Sequence, residues 1–88
     1  MFKLWAKQWK DNRMLRDLVI SDSSEDTRTH KVFHALQQAC LAFDLSTPIW
    51  LQANVSDFKR HGRTRFSADS FLEEIPFDYL EIMVLEED

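Results

Sequence analysis

Apolar and polar residues alternate along residues 2–9, FKLWAKQW, and again in part along residues 14–21, MLRDLVIS, with KDNR between them. A two-residue period describes a strand with one covered face. Asp11 and Asn12 tolerate the left-handed backbone of a tight turn, so the first twenty residues read as a β-hairpin. Side chains decide its register. A three-residue loop of Asp11, Asn12 and Arg13 sets Leu4 opposite Ile20, Ala6 opposite Leu18 and Lys7 opposite Asp17. A two-residue loop of Asp11 and Asn12 instead opposes Lys7 to Arg16 and Ala6 to Asp17. The first register matches apolar with apolar and cation with anion, and is the one expected. One face then carries Phe2, Leu4, Ala6, Leu18 and Ile20, and the other carries Trp5, Trp9, Leu15 and Val19 around the Lys7 and Asp17 pair. That second face is too apolar to be left to water, so either the C-terminal half or a second copy of the chain is expected to cover it.

The polar run SDSSEDTRTHK (21–31) leads into a helix, with Ser24 or Asp26 as the expected cap and Glu25 and Asp26 complementing the positive helix end. Helical spacing continues to about Phe43. Val32, Phe33, Leu36, Ala39, Cys40 and Phe43 share one face, whereas Lys31, His34, Gln37, Gln38 and Leu41 lie on or near the other. Pro48 then restricts Thr47 to extended backbone, and the apolar triplet Ile49, Trp50, Leu51 reads as an anchor. ANVSDFKRHG (53–62) predicts a short second helix, capped by Asn54 or Ser56 and ended by Gly62, the single glycine of the chain, in a left-handed C-terminal cap. RTRF (63–66) reads as extended, SADSFLEEI (67–75) as a further helical turn, and YLEIMVLE (79–86) as a strand with Leu80, Ile82 and Val84 on one face and Tyr79, Glu81, Met83 and Leu85 on the other. The expected fold is α+β in two layers: an antiparallel sheet of about three strands, made of the N-terminal hairpin and the C-terminal strand, with one long helix packed on it and a short second helix. The pattern shows no repeats and no linker, so residues 1–88 read as a single domain.

Composition agrees with that picture. Hydrophobic residues make up 44% of the 88, with one Gly and two Pro, which suits a small folded core and not a disordered chain. No run approaches the ~18 apolar residues of a membrane span, and MFKLWAKQWKD is charged throughout, unlike a signal core. Cys40 is the single cysteine and has no intrachain disulfide partner. These features lead us to expect a cytoplasmic protein with no membrane partner.

Charge changes the picture more. Residues 1–16 carry +4, residues 17–26 carry −4, residues 58–66 carry +4 and residues 67–88 carry −8, all within a net charge of −4. The basic block FKRHGRTRF (58–66) invites an anion or nucleic-acid reading through Lys59, Arg60, Arg63 and Arg65. Lys59, Arg60 and His61 also suit the negative end of the second helix, by about 0.3–1 kcal/mol each. Arg63 and Arg65 point to one side of an extended segment, toward an external anion or toward the carboxylates of residues 73–88. A net negative chain weakens the counterion release that drives nucleic-acid binding, so pairing with carboxylates is preferred.

Other chemistry is sparse. His30 and His34 have the spacing of two ligands on one helix face but lack a third and fourth partner. Cys40 and His34 fall on different sides of the helix. There is no glycine-flanked serine, and one glycine cannot build a phosphate-cradling loop. Asp69, Glu73, Glu74 and Asp78 read as solvated carboxylates. The sequence therefore nominates no catalytic residue, no metal ligand set and no cofactor. Trp50 reads as core, and Trp5 and Trp9 as an interface, since the inner hairpin face is already occupied.

The segments DTRTHKVFHAL (26–36), FDLSTPIWL (43–51), FKRHGRTRF (58–66) and FDYLEIMVLEED (77–88) resemble those of small uncharacterised bacterial proteins of similar length. That resemblance implies a small intracellular bacterial protein and carries no assigned activity. The expected function is accordingly non-enzymatic action through protein contacts, as a homodimer built on Trp5, Trp9, Leu15 and Val19. The alternative is a nucleic-acid or anion-binding module using residues 59–65.

Overall fold

The structure, a computed structural model, describes residues 1–87. Its elements run β1 (Phe2–Lys10), β2 (Arg13–Asp22), α1 (Arg28–Ala42), α2 (Gln52–His61), β3 (Arg63–Ser67) and β4 (Tyr79–Glu86), with one 3-10 turn at Ala68–Ser70. All strands pair antiparallel in a single sheet of order β2-β1-β4-β3. The sheet thus has four strands where about three were expected. RTRFS is the additional one, and its five-residue alternation becomes a strand by pairing with β4.

The hairpin has the expected register, with Leu4, Ala6 and Lys7 opposite Ile20, Leu18 and Asp17. It reaches that register by another route. Asp11 (φ 51°) and Asn12 (φ 62°) form a two-residue turn, and a bulge at Leu15 restores the phase between Gln8 opposite Arg16 and Trp9 opposite Met14. Leu15 is therefore the extra residue of the bulge, and Met14 takes the place beside Trp9.

Both helices cover one face of the sheet. Helix α1 lies against β1 and β2, and α2 against β3. The core between them holds Phe2, Leu4, Ala6, Phe66, Leu80 and Ile82 from the strands and Val32, Ala35, Leu36, Ala39, Cys40 and Phe58 from the helices. Thr27, not Ser24 or Asp26, caps α1, its hydroxyl accepting from the His30 N–H. The buried stripe of α1 is rotated from the expected one, since it includes Lys31 and leaves Phe33 half-exposed. Phe33 instead leans edge-on against Trp50, which packs on the core through Phe58 and Phe66.

Asn54 joins three elements at the start of α2. It sits in the first turn and not at the cap, where its Oδ1 accepts from the Leu51 N–H while its amide donates to Thr64 Oγ1 and the Arg65 carbonyl. Ser70 Oγ reaches the same Oδ1, so this buried amide is satisfied at both ends. Gly62 ends α2 with φ 67°, as expected, and turns the chain directly into β3. The helix expected at 67–75 is reduced to the single turn Ala68–Ser70, because Phe71 and Phe77 bury against each other and pull the intervening residues into a loop.

Candidate functional site

Among the described residues, no helix lies over the second face of the sheet. Strand pairing sorts its side chains into rows, three of which cross all four strands. The central row is Asp17, Lys7, Glu81 and Arg65, one residue from each of β2, β1, β4 and β3, so charge alternates across the whole sheet. On one side of it run Val19, Trp5, Met83 and Arg63; on the other run Met14, Trp9, Tyr79 and Ser67.

The centre of this face is closed by its own side chains. Lys7 is 7% exposed and Glu81 6%, although no other layer covers them. Lys7 Nζ lies 3.1 Å from Glu81 Oε1 and 4.1 Å from the centroid of the Trp5 ring, and Trp9 Nε1 donates to the same Glu81 oxygen at 3.2 Å. Arg65 Nε donates to Glu81 Oε2 at 3.3 Å while its guanidinium lies over the Tyr79 ring at 4.6 Å. Trp5 Nε1 donates to Asp17 Oδ2 at 2.8 Å. Both indoles are thus locked by hydrogen bonds, with their rings flanking a lysine. Burial acts to raise the Glu81 pKa, but hydrogen bonds and charge from Lys7 and Arg65 outweigh it and hold the carboxyl below its ordinary range. Glu81 is a fixed anion at neutral pH.

The basic segment finds its partners only in part on this face. Arg65 meets a carboxylate of its own chain, and Arg63 lies beside Met83 at the sheet edge. His61, Arg63 and Arg65 line a shallow depression that also contains Asp57 and Glu81, so its charge is mixed. Lys59 is elsewhere, beside Phe58 and Val55 in a groove between the helices. Arg60 is exposed on α2. The four cations nominated from sequence are therefore divided between surfaces.

Trp5 and Trp9, nominated as interface residues, sit together with Val19 on the open face. Tyr79, Glu81 and Met83 complete the site and were not nominated. Their signal was present in the alternation of YLEIMVLE, which places all three on one strand face, but only the pairing of β4 with β1 shows which face that is. His30 pairs with Asp26, and His34 lies apart beside Asp22 and Gln38. Among the described residues no group of three His, Cys, Asp or Glu side chains is arranged to hold a metal ion. Cys40 is buried in α1, and that burial pushes its thiol up to about 11, so it remains protonated at neutral pH. No helix among the described residues is long and apolar enough to cross a membrane. Comparison of the chain with protein-family models, curated proteins and solved structures returned no match.

Proposed function

We propose that this is a small, non-enzymatic bacterial protein of the cytoplasm that works through protein contacts, and that its open sheet face is the surface on which two copies pair. The observation that carries the reading is the alternating row Asp17, Lys7, Glu81, Arg65 set between two aromatic rows. A two-fold axis running along the strands between β1 and β4 reverses the strand order. Each row then meets itself backwards, so Asp17 faces Arg65 of the second copy and Lys7 faces Glu81. A four-membered row of alternating charge is complementary to its own reverse, which is the requirement of an isologous interface. The flanking rows bring Trp5 over Met83 and Trp9 over Tyr79. Trp, Tyr, Met and Arg are the residue types enriched at protein interfaces, and indoles already held by hydrogen bonds lose little freedom on association. Stacked sheets lie about 10 Å apart, close enough for these side chains to interdigitate.

Sedimentation equilibrium tests the reading. The wild-type chain is expected to dimerise through this face with concentration, and the Trp5→Ala/Trp9→Ala variant to lose the species that depends on it, with unchanged far-ultraviolet circular dichroism. A wild type that stays monomeric at high concentration would overturn it. The mixed-charge depression of His61, Arg63 and Arg65 gives the anion-binding alternative its own assay. Tryptophan emission that changes on titration with single- or double-stranded oligonucleotides at low salt, and recovers at high salt, would favour that alternative.

A further inference from the structure

The opposite side of the molecule carries a second surface, unrelated to the open sheet face. Helices α1 and α2 diverge around a groove of about 230 Å³, walled by Val32, Phe33, Trp50, Val55 and Phe58. Phe33 is 50% exposed there, which explains why the apolar stripe of α1 is wider than the core beneath it requires. The rim is cationic. Arg28 stacks over Phe58 and pairs with Glu87, whereas Lys59 meets no carboxylate among the described residues. A volume below the roughly 300–1,000 Å³ of ordinary small-molecule pockets suits one or two aliphatic side chains better than a cofactor.

The chain also displays the matching shape. Leu72 is 91% exposed, the most exposed of the large apolar residues, and is followed by Glu73 and Glu74. The loop that presents it is braced. Phe71 and Phe77 meet edge to face at 6.0 Å across its base, Glu73 Oε1 accepts from the Ser46 N–H, and Asp78 ties the far end to Asp11 and the Trp9 carbonyl. Holding an apolar side chain out in water on a stiffened loop lowers the ordering cost of docking it. We propose that Leu72 of one copy inserts into the α1/α2 groove of a second copy, with Glu74 set against Lys59. The contact is heterologous, joining loop to groove, so it propagates beyond a pair unless the assembly closes on itself. It does not depend on the pairing of sheet faces.

Sedimentation velocity of the full-length chain over a concentration series reads this contact. An associated species is expected that disappears in Leu72→Ser but persists in Trp5→Ala/Trp9→Ala. Lys59→Glu and Glu74→Lys, both surface changes, are each expected to weaken that species about tenfold by opposing like charges. Mixing these two variants in equal amounts restores the opposition of unlike charges, since the groove of each variant then receives a loop of opposite sign from the other. Association of the mixture at close to wild-type strength is the expected result. Association indifferent to Leu72→Ser, or a mixture no stronger than its components, overturns the proposal. Association lost in the tryptophan variant but intact in Leu72→Ser also overturns it, and leaves the sheet-face dimer standing alone.

Discussion

The two faces of the one sheet come from the same strands and the same two-residue alternation, yet they are built on different chemistry. Under the helices, Leu4, Ala6, Phe66, Leu80 and Ile82 are completely or almost completely removed from water. That face stabilises the fold through buried apolar area, which is non-directional and tolerant of detail. On the open face the equally buried pair Lys7 and Glu81 needs each other, the Trp9 indole N–H, the Trp5 ring against Lys7, and Arg65 to be tolerable at all. Such a network contributes little net stability and is sensitive to the loss of any one member. Burial alone therefore does not distinguish a core from a site. What distinguishes them is whether the buried atoms need particular partners.

Core truncation should give the largest effect. Phe66→Ala removes a fully buried ring between Trp50 and the sheet, and is expected to destabilise by about 4 kcal/mol in urea unfolding. Glu81→Ala should follow at about 3 kcal/mol, because Lys7 is left buried beside Arg65 without its anion. The paired replacement Lys7→Met/Glu81→Leu should recover most of that loss while removing the charge complementarity of the proposed sheet-face pairing, a result no inner-face substitution can produce. The same carboxylate makes stability depend on pH. Its folded pKa lies below the ordinary value of 4.5, so its contribution is fully present above pH 4.5 and is lost as pH falls through the lowered folded value. Urea midpoints measured on acidification should fall further in the wild type than in the paired replacement.

Asn54→Ala tests a buried polar junction on the helix side. Removing the amide leaves Thr64 and the Leu51 N–H without their partner, at an expected cost of about 2 kcal/mol. If it costs nothing, polar partnership at this junction does not stabilise the fold as it does on the open face. Smallest is Gly62→Ala, expected to destabilise by about 1 kcal/mol. The added Cβ would lie 4.0 Å from Val84 Cβ, ordinary contact, so the cost reports the left-handed backbone alone.

Much of the fold was legible because it is local. The left-handed backbone at Asp11 and Asn12, the hairpin pairing, the end of α1 near Phe43, the stop at Gly62 and the strand YLEIMVLE all follow from period and turn chemistry within a few residues. Errors arose where distant neighbours decide. Lys31 is buried and Phe33 is half-exposed because α1 turns its stripe toward β1 and β2, an orientation helical spacing does not carry. RTRFS becomes a strand through β4, and SADSFLEEI fails as a helix because Phe71 finds Phe77.

The site divides in the same way. By itself the sequence determined that Trp5, Lys7 and Trp9 share a strand face, that Lys7 opposes Asp17, and that Arg63 and Arg65 point together toward some negative partner. Each of these depends on alternation along one strand or across one hairpin. Only the tertiary structure decided that β4 lies between β1 and β3, bringing Glu81 under both Lys7 and Arg65 and closing four charges into one row. Strand order is set by how the whole core packs, and no local period encodes it.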